Sequence, residues 1–249
     1  MRHYFLIMAL GFFSGCNAEQ PPHPWLHELD ADDGVKSSGL RLMSLEHGLH
    51  ALERANDNPQ DRILVGVHGY ASEGYEWVYP LQKMDSERTS TYYFRWDYKQ
   101  CAEPSADSLQ TALGELLKAE PGIKHVQLVG HSYGGILVSL LVENWTYGIP
   151  IEIHVVAAPL AGMGELAQHC GYMPPDTVAD NVTFFQWRTR HHLDNAFKNL
   201  DVDPQIINLP AASIIELPDT YRGRRLGHNW SLSWVADSLA TKNEDTFLK

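Results

Sequence analysis

Short, nearly uninterrupted apolar runs alternate with amphipathic stretches along most of this chain. Residues 62–70 (RILVGVHGY), 91–98 (TYYFRWDY), 125–130 (HVQLVG), 151–159 (IEIHVVAAP) and 182–189 (VTFFQWRT) read as strands. Between them, residues 40–55, 73–84, 105–122, 134–145 and 229–240 carry helical spacing, the third of these stopped by Pro121-Gly122. Strands apolar on both faces need cover on both faces, so this order predicts an α/β fold: a mostly parallel sheet with helices on either side. In such sheets the loops at the carboxyl ends of the strands form the crevice where function collects.

With 249 residues, 44% of them hydrophobic, the chain can bury a full core as one unit, expected over residues 37–249. Its formal charge of −12 and the lack of a Lys/Arg-rich run leave no electrostatic footprint for nucleic acid. Ahead of this domain, residues 1–15 begin with a basic residue, continue as an apolar run too short to span a bilayer, and end in FSG before Cys16. This stretch resembles a bacterial lipoprotein signal peptide. The resemblance implies that Cys16 is lipidated, and that the protein is anchored to membrane in the bacterial cell envelope, facing the periplasm or the outside. Residues 16–36, polar and proline-bearing, are expected to be a tether. The acidic residues 30–33 lack calcium-ligand spacing and are read as hydration of that tether. Export leaves Cys101 and Cys170 in an oxidising compartment, either joined as a disulfide or as two unrelated thiols.

Gly130-His131-Ser132-Tyr133-Gly134 fits G-x-S-x-G and lies between a strand and a helix, the context in which that turn lifts a serine hydroxyl above a sheet edge. A serine hydroxyl is a weak nucleophile until a base takes its proton, and an acid must in turn orient the base. His228 follows the last strand-like region and opens the terminal helix, which makes it the first candidate base, with His191 and His192 in reserve. Adjacent as those two are, they lack further ligands at metal-binding spacing, and no metal site is expected. For the acid, Asp194 lies nearest the end of the 182–189 strand, and Asp201 and Asp203 are alternatives. The amides of Tyr133, just after the serine, and of Tyr70, just after the first parallel strand, are candidate donors to a developing oxyanion. His68 is read as orienting the Tyr70 loop and is grouped with Leu160 and Met163 as candidate substrate-binding wall.

Taken together, His68-Gly69-Tyr70, Gly130-His131-Ser132-Tyr133-Gly134-Gly135 and Gly227-His228 resemble the α/β-hydrolase superfamily, within it the lipase and esterase-like members, over roughly residues 40–240. The resemblance implies a Ser132–His228–Asp194 triad, an acyl-enzyme intermediate, an ester or lipid substrate and no cofactor. The glycine-led turn usual ahead of the acid is replaced here by RTRHHLD. At about two dozen residues, the 157–181 connection is long enough for a flap but not for a large cap domain. The motif leaves open thioesterase, amidase or acyltransferase chemistry with the same triad, as well as a binding lipoprotein without catalysis.

Overall fold

The computed structural model describes residues 22–54, 60–164 and 169–247, the side chains of 242–247 excepted. Cys16 and the whole presumed signal stretch lie outside the described residues.

A seven-stranded sheet forms the middle layer, with strands β1 (Gly48–Ala51), β2 (Arg62–Val67), β3 (Thr89–Arg95), β4 (His125–His131), β5 (Ile151–Val156), β6 (Val182–Arg188) and β7 (Ser213–Glu216). Their order is β1-β3-β2-β4-β5-β6-β7. Every pairing is parallel except β1 with β3. A small hairpin, β8 (Thr220–Tyr221) with β9 (Arg224–Arg225), precedes the terminal helix.

Alternation along β2 sorts its side chains onto two cores. Ile63, Val65 and Val67 belong to the layer that also holds Leu109 and Leu113 of α3 (Ala102–Ala119) and Ile136 and Leu137 of α4 (Tyr133–Ser139). Leu64 faces the opposite layer, with Trp77 and Leu81 of α2 (Tyr75–Met84) and Leu232, Val235 and Leu239 of α5 (Trp230–Phe247). The buried positions 102, 106, 109 and 113 in α3 and 232, 235, 236 and 239 in α5 follow one helical stripe each. The expected α/β layering is therefore what the chain adopts.

Three local expectations are corrected. Residues 40–55 do not form one helix: α1 runs over Val35–Met43 and is followed by β1. Leu42, Leu45, Leu49 and Leu52 happen to fit a helical period, but Gly48 turns the chain at φ 136°, and residues 48–51 pair with Tyr92–Arg95 of β3. Here sheet pairing overrides local periodicity. The helix after the serine ends at Ser139 rather than near Trp145. Its hydroxyl bonds back to Ile136 O at 2.7 Å, and the next residues continue in tight i→i−3 turns.

The third correction concerns the tether. Within 16–36, Leu26 and Leu29 are buried, Leu26 N–H donates to Leu52 O at 2.7 Å, and Arg41 donates to His23 O at 2.7 Å. Apolar side chains at 26 and 29 draw this segment onto the domain, so the packed unit begins before residue 37. The Asp30 carboxylate accepts from the N–H groups of Asp32 and Gly34, and it thus caps a turn leading into α1.

Cys101 and Cys170 form a disulfide, their Cα atoms 5.4 Å apart. The bridge ties the 157–181 connection to the start of α3 and closes a loop of 69 residues. Among the described residues no helix is long and apolar enough to cross a membrane.

Candidate active site

Ser132 occupies the sharp turn between β4 and α4, at φ 55° and ψ −121°. A non-glycine residue at positive φ is strained, and the surroundings hold it there. Its N–H donates to Val156 O and its carbonyl accepts from Gly135 N–H, both at 2.9 Å. Only glycine fits at 134, since a Cβ there would stand 2.3 Å from Val67 O. The turn therefore packs directly on the end of β2. On the other flank, a Cβ placed on Gly69 would come within 2.9 Å of Ser132 Cβ, which puts the loop after β2 against the serine.

After β6 the chain makes a short 3₁₀ turn, His191–Leu193, and delivers Asp194 into the interior, where it is fully buried. His228 donates Nδ1–H to Asp194 Oδ2 at 2.9 Å. Thr189 Oγ1–H donates to the same oxygen at 2.5 Å, and Ala196 N–H donates to Oδ1 at 2.8 Å. Burial pushes this carboxyl up, but the hydrogen bonds from His228, Thr189 and Ala196 outweigh it and hold Asp194 below the usual carboxylate range. The imidazole of His228 rests edge-on against buried Phe197, ring centres 5.1 Å apart. His131, on the other side, donates to His228 O at 3.1 Å. Burial drives the His131 pKa down to about 3, so it supports His228 as a neutral ring.

Ser132 and His228 line one cavity of about 290 Å³, together with Gly69–Glu73, Tyr75, Glu76, His131 and Asn229. A second, more open cavity of about 500 Å³ shares His228 and Asn229 and extends along Asn195, Ala196, Arg225 and Trp230. The other candidates lie elsewhere. His191 bonds through Nε2 to Phe197 O at 2.8 Å, and His192 is exposed. Asp201 is exposed, and Asp203 accepts from Gln205 N–H at 3.0 Å. Among the described residues no cluster of three or more His, Cys, Asp or Glu side chains is placed to hold a metal ion.

The wall expected from His68, Leu160 and Met163 is not the one formed. His68 is completely buried: it donates Nδ1–H to Gly69 O at 3.0 Å and accepts at Nε2 from Arg95 at 2.7 Å. Burial lowers its pKa to about 3, and the neutral ring fixes the backbone of the Gly69-Tyr70 loop. Leu160 is fully buried in the sheet core, and Met163, half-buried, does not border the cavity. Instead the loop and first turn of α2, Ser72 through Glu76, form that wall. No motif marks these residues; their position directly after the Gly69-Tyr70 loop is the one signal that could have found them.

Tyr133 is the first residue of α4, so its N–H has no acceptor within the helix. Its ring packs edge-on against Trp96 and its hydroxyl donates to Gln100 O at 2.8 Å. Burial pushes that phenol up to about 12. The Tyr70 ring is exposed and packs edge-on against Tyr98.

Sheet order, serine turn and paired His228–Asp194 together define an α/β-hydrolase. Residues 64–241 match the model of the alpha/beta hydrolase family, and the chain belongs to that family. No curated protein matches the chain. Among solved structures it is similar to Est1E from Butyrivibrio proteoclasticus with ferulic acid bound: TM-score 0.54 at 15% identity, covering 81% of this chain and 93% of that one. It is also similar to the Pyrococcus furiosus esterase Pf2001, with TM-score 0.50 at 13% identity and 76% and 82% covered. A putative hydrolase from Agrobacterium vitis S4 gives TM-score 0.50 at 13% identity, with 80% and 98% covered. At these identities the likeness is one of fold.

Proposed function

We propose that the protein is a serine hydrolase of carboxylic esters, with Ser132 as nucleophile, His228 as base and Asp194 as the acid that orients it. The observation that carries this reading is the buried 2.9 Å pair of His228 with Asp194, opening on the same cavity as a serine held at positive φ. Esterase names among proteins of the same fold are in keeping with it.

In this mechanism Ser132 Oγ attacks the ester carbonyl carbon while its proton passes to His228 Nε2. Asp194 stabilises the imidazolium that forms. The amides of Tyr133 and Tyr70 hold the oxyanion. Collapse breaks the bond to the alkoxy oxygen, which leaves with the proton from His228. Water, deprotonated by the same imidazole, then cleaves the acyl-enzyme, releasing the acid and restoring Ser132. None of these steps calls on a cofactor.

We further propose that Cys16 is the lipidated residue of a bacterial envelope protein. The Cys101–Cys170 disulfide suits an oxidising compartment, which supports this placement.

A fluorophosphonate probe tests the catalytic reading. It is expected to label the wild type and Asp201→Asn, and to leave Ser132→Ala unlabelled. A folded wild type that resists the probe and hydrolyses no p-nitrophenyl ester would defeat it. Hydrolysis of thioesters or amides in preference to esters would replace the substrate class but keep the triad.

A further inference from the structure

The two cavities that meet at His228 differ in charge. The smaller, beside Ser132, carries Glu73 and Glu76 on its wall. That wall is backed by α1: Gly74, at φ 80°, has no room for a Cβ, which would stand 2.4 Å from Gly39 O. A Cβ on Gly39 would in turn stand 2.3 Å from Tyr75 N. The larger cavity, of about 500 Å³, has no acidic residue on its wall among the described residues, and Arg225 is its permanent charge. In a chain of net charge −12, a cationic wall beside the base calls for a reason.

Arg225 is presented by a braced hairpin. Arg222 at φ 48° and Gly223 at φ 71° make the turn between β8 and β9. Tyr221 donates its hydroxyl to Asp237 of α5, Arg222 donates to the same carboxylate at 3.1 Å, and Leu226 is buried. The hairpin is thereby fastened to the terminal helix. Two neighbouring arginines are ion-paired, Arg190 with Glu216 and Asp219, and Arg222 with Asp237. Arg225 instead donates Nη2–H to the neutral Asn195 Oδ1 at 3.2 Å, and it forms no ion pair among the described residues. Asn195 lines the same cavity, so this bond places the guanidinium at the wall with most of its N–H donors still to be used.

We propose that Arg225 binds a carboxylate on the alcohol portion of the substrate, so that the enzyme selects esters formed on the hydroxyl group of hydroxy acids. This rests on the ester-hydrolase reading above and names its substrate class. His228 gives its proton to the departing alkoxy oxygen, so that oxygen faces the imidazole and the rest of the alcohol continues past it. The larger cavity shares His228 and Asn229 with the smaller one but does not include Ser132, which makes it the leaving-group side. A carboxylate there meets a planar guanidinium whose paired N–H groups match its two oxygens. Its charge also favours the imidazolium that forms on His228. An ammonium group would oppose both Arg225 and that imidazolium. A phosphate monoester, with close to two negative charges at neutral pH, would leave one of them unbalanced. In the smaller cavity the carboxylate would meet Glu73 instead.

The test uses ω-acetoxy acids from 3-acetoxypropanoate to 6-acetoxyhexanoate, each beside its primary amide, which has the same shape without the charge. 6-Aminohexyl acetate serves as the cationic ester. The full chain is assayed as wild type, Arg225→Gln, Arg225→Glu and Arg224→Gln. In the wild type the best acid should exceed its amide about tenfold in kcat/KM. Arg225→Gln should bring that ratio to about one, and Arg225→Glu should turn it in favour of the amide. Arg224→Gln, on the opposite face of β9, should keep it. Because Arg225 is exposed, about 0.5 M NaCl should shrink the wild-type ratio. A folding defect lowers acid and amide alike and leaves the ratio in place. Should the Arg225 variants not fold, the salt series on the wild type decides, and a ratio that salt does not move overturns the proposal. Ester hydrolysis with no preference in any pair, a preference that survives Arg225→Gln, or a preference for the ammonium ester overturns the proposal alone. Failure to hydrolyse any ester removes the ester-hydrolase reading and this proposal together.

Discussion

His228 Nδ1 and Asp194 Oδ2 stand 2.9 Å apart, with the carboxylate sealed from solvent and the imidazole at the cavity edge. Replacing the carboxylate by an amide keeps the shape but favours the wrong imidazole tautomer. Asp194→Asn should therefore lower kcat by on the order of 10⁴ with little change in KM. Asp201→Asn, at an exposed position, should leave kcat at the wild-type level. Steady-state kinetics on p-nitrophenyl acetate checks both, and equal, mild effects would move the acid elsewhere.

Thr189 directly follows β6, the strand that leads to the acid, and donates to the same oxygen as His228. Its hydroxyl holds the carboxylate in line and helps to keep it ionised. Thr189→Val removes a hydrogen bond to a charged group, of about 1.5–3 kcal/mol, and should reduce kcat roughly ten- to a hundredfold. Thr189→Ser should recover most of the loss. The same kinetic assay, run on both variants, distinguishes a lost hydrogen bond from a packing defect.

His68 and His131 are buried and neutral, each with its pKa lowered from 6.5 to about 3. Above pH 6.5 neither the native nor the unfolded chain protonates them. Between about 6.5 and 3 the unfolded chain takes up protons that the native state refuses, so stability must fall as pH falls. Each ring contributes a slope of about 1.4 kcal/mol per pH unit in that window. Asp194, whose folded pKa lies below 3.8, adds stability at higher pH that is lost below that value. Urea unfolding of the wild type at pH 7, 5.5 and 4.5 should show the decline. A flat profile would mean that the two rings are hydrated in solution.

Closing 69 residues with the Cys101–Cys170 bridge restricts the unfolded chain. Reduction, or the Cys101→Ala/Cys170→Ala pair, should cost about 2–4 kcal/mol of stability in denaturant titration. Among the described residues neither cysteine lines the cavity of Ser132 and His228, so activity in buffer should survive reduction at temperatures below the new Tm.

The sequence was most readable where chemistry demands a rare local pattern. The glycines around Ser132 have no substitutes, because a Cβ at 134 would overlap Val67 O, and a strand before and a helix after are both visible as apolar runs. Asp194 was harder to separate from Asp201 and Asp203. What distinguishes it is burial, supplied by Thr189 and Ala196, and burial is a property of the folded loop. Leucines at 42, 45, 49 and 52 concealed β1, whose existence depends on β3, distant in sequence. Leu160 is apolar and near the site in sequence, yet the core claimed it. Glu76 lies among aromatic and aliphatic residues of an amphipathic helix, and nothing local announces that it borders the cavity.

The interlock of Gly39 with Gly74 joins a helix far from the chemistry to the surface a substrate would touch. The family match begins at residue 64, whereas α1 ends at Met43. A version trimmed to the matched region would keep Ser132, His228 and Asp194 while removing the brace behind the loop at Glu73–Tyr75. The support behind that loop is thus an upstream feature: Ser132, His228 and Asp194 lie inside the matched region, and the helix that props the loop beside Ser132 lies before it.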